Sequence, residues 1–274
     1  MKIQPITLLS KVSLCAGLAV SCLLFLPGHG IAQNVTLTNG SSTATVDLGS
    51  GQGMDNWSVL GQNQLIQQWF YYSIGTGPVQ AINSIGLYSQ NQYGQNNYLD
   101  AIYKNSQLSI EVTYTLSGTG PGNADITETI AVDNLSGSSF NLNLFQYSNF
   151  NLLQSGNNTL QIYGNPGAYT EAVQTSGSTS IAEGIVSPYA TAAEANFAAT
   201  TMGQINAGSL NGDLFAGPGD VAWGFEWSTS VDAGGEFDLT KDKSLSVSMV
   251  PEPSTFALIG LGIGALGLMR RRSS

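Results

Sequence analysis

The chain has 274 residues and sets eight Lys and Arg against eighteen Asp and Glu, a formal net charge of −10. That balance excludes nucleic acid and anionic lipid as partners of a basic surface, because phosphate contacts require clustered Lys and Arg. Both cysteines, Cys15 and Cys22, and the sole histidine, His29, fall within the first 32 residues. This segment reads as a secretory signal helix. Lys2 and Lys11 precede or border an apolar run over residues 12–26, and Gly30 and Ala32 supply the small residues that signal peptidase needs before Gln33. The run is shorter than the ~20 residues of a spanning helix. Cleavage between Ala32 and Gln33 leaves no Cys and no His. Ser-His-Asp and Cys-His catalysis, zinc sites built on those residues, disulfides and histidine pH switching go with them.

The body, residues 33–249, is rich in Gly, Ser, Thr and Asn, and its apolar residues alternate. Strands are expected at "NVTLTNG", "TATVDLG", "LIQQWFYYSIG" and "NSIGLYS". In "QLSIEVTYTLS", Leu108, Ile110, Val112, Tyr114 and Leu116 share one face while polar residues take the other, the pattern of a half-buried antiparallel strand. "SGTGPGN" then turns the chain into "DITETIAVDN", and "LSGSS" turns it into "FNLNLFQYSNFNL". Phe140, Leu142 and Leu144 keep step there until Phe145 and Tyr147 shift it, so a bulge is expected. "TLQIYG" and "TEAVQT" follow. Only "YATAAEANFAATTMG" reads as helical, with Thr200, Thr201 and Gly203 limiting its length. "VAWGFEWSTSV", "GEFDLT" and "SLSVSMV" close the body. Such a run of short strands with frequent turns predicts one all-β domain, an antiparallel β-sandwich of two sheets, jelly-roll-like or related.

The C-terminal 25 residues read "VPEPSTFALIGLGIGALGLMRRRSS". "FALIGLGIGALGLM" makes roughly 21 Å of helix against a hydrocarbon core of about 30 Å, so a short transmembrane segment needs residues 254–269. Arg270, Arg271 and Arg272 act as a stop-transfer cluster and stay cytoplasmic, leaving the body outside. Val250, Pro251, Glu252, Pro253 and Ser254, the apolar segment and the arginine cluster together resemble the PEP-CTERM sorting signal of Gram-negative bacteria. The resemblance implies recognition by exosortase, a membrane transpeptidase-like protease, and passage through the inner membrane to the cell surface or extracellular matrix. It also implies export alongside exopolysaccharide or biofilm. Similar tails are sometimes given the name of an ice-binding C-terminal domain, yet the body lacks the regular Thr-x-Thr rows that ice recognition favours. Residues 145–152, "FQYSNFNL", resemble a phrase of some PEP-CTERM bodies in which acidic residues often replace Asn149 and Asn151. Here the phrase reads as a strand and its turn.

Candidate sites in the body remain open between function and packing. Trp223 and Trp227 share a strand face with Val221 and Phe225; exposed, they form a sugar-stacking platform, and buried, they are core. The same choice applies to Trp57, Trp69, Tyr71 and Tyr72. Paired carboxylates are the acid and base chemistry left. Glu128 stands out because it shares parity with Ile126, Ile130 and Val132, whereas Glu226 opposes the tryptophan face. Asn211, Asp213 and Asp220 offer oxygen ligands for calcium without matching an EF-hand spacing. The expectation is an exported, non-catalytic protein without cofactor, structural or weakly carbohydrate-binding. The alternative is a carbohydrate-active enzyme using two carboxylates.

Overall fold

The computed structural model describes residues 33–248. Alternating Thr, Val, Ile and aromatic residues, which pack well on a pleated surface, make most of this segment extended. The chain runs through β1 (Asn34–Asn39), β2 (Ser42–Asp47), β3 (Gly53–Val59), β4 (Gln62–Asn63), β5 (Leu65–Ile74) and β6 (Gln80–Ala81). It continues through β7 (Leu87–Tyr93), β8 (Tyr98–Lys104), β9 (Leu108–Gly120), β10 (Asn123–Asn134) and β11 (Phe140–Phe150). Next come β12 (Asn158–Asn165), β13 (Ala168–Ser176), β14 (Thr179–Ser187) and β15 (Ala192–Phe197). The helix α1 (Ala198–Ala207) precedes β16 (Phe215–Gly219), β17 (Val221–Val231) and β18 (Glu236–Ser246).

These strands form two nine-stranded sheets, an all-β sandwich as expected. The first has the order β1-β2-β3-β5-β11-β17-β15, with β4 on β3 and β6 on β5. The second runs β16-β12-β13-β14-β18-β10-β9-β8-β7. A short parallel contact joins β3 to β5 within otherwise antiparallel pairing. The core lies between the sheets. There Phe150 stacks on Trp223 at 5.5 Å between ring centroids, and Trp57 meets Phe150 edge-on.

Several local expectations change. The stretch expected to be helical splits: residues 192–197 pair with β17, and α1 begins only after Phe197. Thr200, Thr201 and Gly203 do not shorten α1, because buried Thr201 donates its hydroxyl to the Ala222 carbonyl and ties the helix to the first sheet. The helix stops at Gly208, whose φ of 70° is left-handed. The irregularity of β11 lies later than expected: register against β17 holds from Phe140 to Asn149, and the shift comes against β5 between Asn149 and Phe150. Phe145 and Tyr147 are apolar because the outer face of β11 is also covered, with Tyr147 donating to the Ala198 carbonyl. "GEFDLT" and the start of "SLSVSMV" fuse into the single strand β18, and residues 82–85 form a short 3₁₀ turn ahead of β7.

Gly53 permits the parallel contact. Its φ is +61°, and a Cβ there collides with the Trp69 ring. Gly53→Ala is therefore expected to destabilise the fold by roughly 1–3 kcal/mol, the cost of an overpacked core position, seen as a lower unfolding midpoint in urea. An unchanged midpoint would show that β5 yields freely. The signal segment, the cleavage residue Ala32, the transmembrane segment 254–269, the arginine cluster and Met249 lie outside the described residues. Among the described residues no helix is long and apolar enough to cross a membrane.

Candidate functional site

Residues Leu239, Lys241, Lys243 and Leu245 alternate inward along β18, so two lysines enter the sandwich in step with two leucines. Their neighbours in register are acidic. Glu128 on β10 stands opposite Lys241, and Glu183 on β14 stands opposite Lys243. All four side chains are 0% exposed. Lys241 Nζ contacts Glu128 Oε2 directly and lies 3.2 Å from Glu183 Oε1. Lys243 Nζ lies 2.7 Å from Glu128 Oε2 and 3.7 Å from Glu183 Oε1. Two ammonium and two carboxylate groups sum to zero charge, the condition under which ionised groups survive in a low-dielectric interior.

The first sheet closes over this quartet. Gln146 Nε2 on β11 and Trp223 Nε1 on β17 each donate to Glu183 Oε2 at 2.8 Å. Gln146 Nε2 also lies 2.7 Å from Ser148 Oγ, and the Phe70 ring on β5 lies 4.9 Å from Lys241 Nζ. Both oxygens of Glu183 thus have separate duties: Oε2 is held by two donors, while Oε1 faces the lysines without being aligned for a hydrogen bond. Glu128 Oε1, Gln146 Oε1, the Gln68 amide and the Tyr114 hydroxyl have no hydrogen-bond partner, and Tyr114 stands opposite Glu128 across the β9–β10 pair. Burial holds Lys241 well below the usual lysine range, and the charge of Lys243 pushes it further. Lys243 is also lowered by burial, but Glu183 and Asp242 pull it back up. Burial raises the Tyr114 hydroxyl well above its ordinary range.

Of the four charged groups, parity singles out Glu128 alone, and its inward placement agrees with it. Glu183 and the two lysines carried the same signal: Glu183 shares parity with Ile181 and Ile185, and the lysines share it with Leu239 and Leu245. Glu226 does not join them. It lies on the other face of β17, half-buried, accepting from Ser228 Oγ at 2.7 Å, and burial raises its carboxyl. Trp223 and Trp227 are 0% and 1% exposed, so the sugar-stacking platform read at these positions is corrected to core. Their indole N–H groups are spent on Glu183 and the Pro188 carbonyl. Trp57 and Trp69 are likewise buried, Tyr71 nearly so, and Tyr72 packs against the core.

The oxygen-bearing residues Asn211, Asp213 and Asp220 engage local partners through their backbones. The backbone amides of Asn211 and Asp213 point at the buried carboxylate Glu194, at 3.1 and 3.3 Å, and Asp220 instead accepts the Ala198 amide through its carbonyl. Among the described residues no three His, Cys, Asp or Glu side chains converge as a metal cage requires. Two clefts of about 290 and 300 Å³ flank Gly40, and neither is lined by a titratable side chain. On the outer face of the second sheet, the Glu111 carboxyl is raised first by burial and then by the charge of Asp100 on the adjacent strand. Exposed rings occur at Tyr88 and Tyr93 on β7.

The sandwich resembles solved carbohydrate enzymes at low identity. A bacterial glucoamylase complexed with acarbose superposes with a TM-score of 0.57 and 12% identity over 84% of this chain, which spans only 34% of the glucoamylase. A putative aldose 1-epimerase from Escherichia coli K12 superposes with a TM-score of 0.53 and 11% identity, covering 79% of this chain and 99% of the epimerase. These likenesses establish the fold. No curated protein matches the chain in sequence. Residues 250–273 match the PEP-CTERM protein-sorting motif, so the chain bears the C-terminal address of an exported protein processed by exosortase at the membrane.

Proposed function

We propose that the body is a non-catalytic module delivered by the PEP-CTERM route to the cell surface or extracellular matrix, where it has a structural role and binds exopolysaccharide weakly. The observation that carries this reading is the pairing of the sorting motif with a body whose densest cluster of chemical groups faces inward. Glu128 and Glu183 are neutralised between the sheets and offer no carboxylate to a substrate at the surface. The glucoamylase and the aldose 1-epimerase lend the carbohydrate reading its ligand class by shared scaffold alone. Among the exposed aromatic rings, Tyr88 and Tyr93 on β7 are the two assigned to stack on a sugar.

A second reading, a carbohydrate-active enzyme, rests on the Asp100–Glu111 pair on adjacent strands, where a partly exposed carboxyl is raised first by burial and then by its acidic neighbour. A glycan array and a polysaccharide hydrolysis screen on the full chain separate the two. Weak glycan binding without sugar release is expected, and Tyr88→Ala with Tyr93→Ala is expected to weaken binding roughly tenfold, about 1.4 kcal/mol. Sugar release that Glu111→Gln abolishes would replace this reading with the enzymatic one.

A further inference from the structure

We propose that Lys241 and Glu128 condense into an intramolecular isopeptide bond that ties β18 covalently to β10 across the centre of the second sheet. Register supplies the first support: the two residues are direct cross-strand neighbours on the inner face, although 113 positions separate them in sequence. Their reacting groups touch, and both are sealed from solvent. Holding an amine against a carboxyl in this way replaces a bimolecular encounter with a unimolecular step. Exclusion of water also removes the solvent that favours hydrolysis over condensation.

The surrounding groups divide the remaining chemistry among them. An amine is nucleophilic only when unprotonated, and a carboxyl is electrophilic only as the acid. In a dry interior, passing the proton from ammonium to carboxylate cancels both charges, which lowers the cost of reaching that reactive pair. The environment of Lys241 favours its neutral form, while Lys243 is the lysine that its neighbours help to keep charged. Glu183 is the base. Its Oε2 is fixed by Gln146 and Trp223, which leaves Oε1 3.2 Å from the attacking nitrogen. Lys243 holds Glu128 Oε2 at 2.7 Å and assists the departure of that oxygen once the carbonyl carbon becomes tetrahedral. The Phe70 ring packs on the amine and keeps water from it.

The step balances without any further reactant. Lys241 Nζ forms a bond to Glu128 Cδ, Glu183 takes one proton from the nitrogen and returns it to the departing hydroxyl, and the bond from Cδ to Oε2, the oxygen that received the Lys241 proton, breaks to release one water. Product charge also balances, because Glu183 and Lys243 remain as a matched pair. The bond requires no oxidant, which suits a mature body without cysteine. This inference does not depend on what the body binds.

Peptic digestion of the purified full chain under denaturing acid, followed by tandem mass spectrometry, tests it. The expected product is a branched pair of peptides, one carrying Glu128 and the other Lys241, lighter by one water than their sum. Finding both residues only in linear peptides would overturn the proposal. Lys241→Arg is expected to abolish the branched species, and a branch from Glu128 to any other residue would overturn the assignment. Glu183→Gln is expected to slow formation of the branched species roughly 100-fold or more, the usual weight of general acid–base catalysis. Formation at the parent rate would remove Glu183 from the reaction.

Discussion

Lys241→Met is expected to cost the protein most of its folding free energy. Two losses combine at this position. The substitution turns Glu128 from a cross-linked amide back into a buried carboxylate that must share Lys243 with Glu183, and an uncompensated buried charge costs about 3–5 kcal/mol. It also removes the proposed cross-link between positions 113 apart, whose chain-entropy contribution is roughly 5 kcal/mol for a loop of that length. Together these approach the stability of a whole domain, about 5–15 kcal/mol. The double variant Lys241→Met with Glu128→Leu separates the losses, because Glu183 and Lys243 then remain a neutral pair. Apolar replacement of a buried pair alone is neutral or stabilising by about 1–4 kcal/mol. A cross-linked parent therefore predicts a double variant that unfolds at much lower guanidinium concentration than the parent. A double variant as stable as the parent, in the same titration, would show that the ion pair was never converted into a bond.

The alternation in β9 and β10 was legible because each strand has one face in the core and one in water, the circumstance in which period-two patterning reports burial directly. The same reasoning failed at β11, where α1 covers the outer face and removes the polar half of the pattern. It failed differently at β18. "KDK" falls between the two strands expected at "GEFDLT" and "SLSVSMV", although Lys241 and Lys243 are fully buried positions of one continuous strand. A lysine is priced as a surface residue unless its partners are known, and those partners, Glu128 and Glu183, are remote in sequence and meet it only through sheet register. Glu128 could be noticed alone; the quartet could not. The tryptophans show the converse: parity assigned Trp223 and Trp227 to one face correctly, but a single strand cannot reveal whether a second sheet covers that face.

Glu252→Ala is expected to abolish C-terminal processing while leaving membrane insertion intact, so that full-length chain accumulates in the membrane fraction. Pro251 and Pro253 each restrict φ and bias Val250 and Glu252 toward extended geometry, the form in which a protease binds its substrate. Glu252 is the one charged side chain between them, and the match to the sorting motif begins at Val250. The apolar residues that follow are expected to place this segment at the membrane surface by burial of hydrocarbon, a contribution that the substitution does not touch. Recognition and insertion are therefore separable. Replacing Arg270, Arg271 and Arg272 with Ser acts on the other half of the signal. It removes the cations that resist translocation and is expected to release unprocessed chain into the medium. Immunoblots of membrane and medium distinguish the two variants by the size and place of the product. Normal cleavage and release of Glu252→Ala would reduce the Pro-Glu-Pro segment to a spacer, with the apolar run serving only as an anchor.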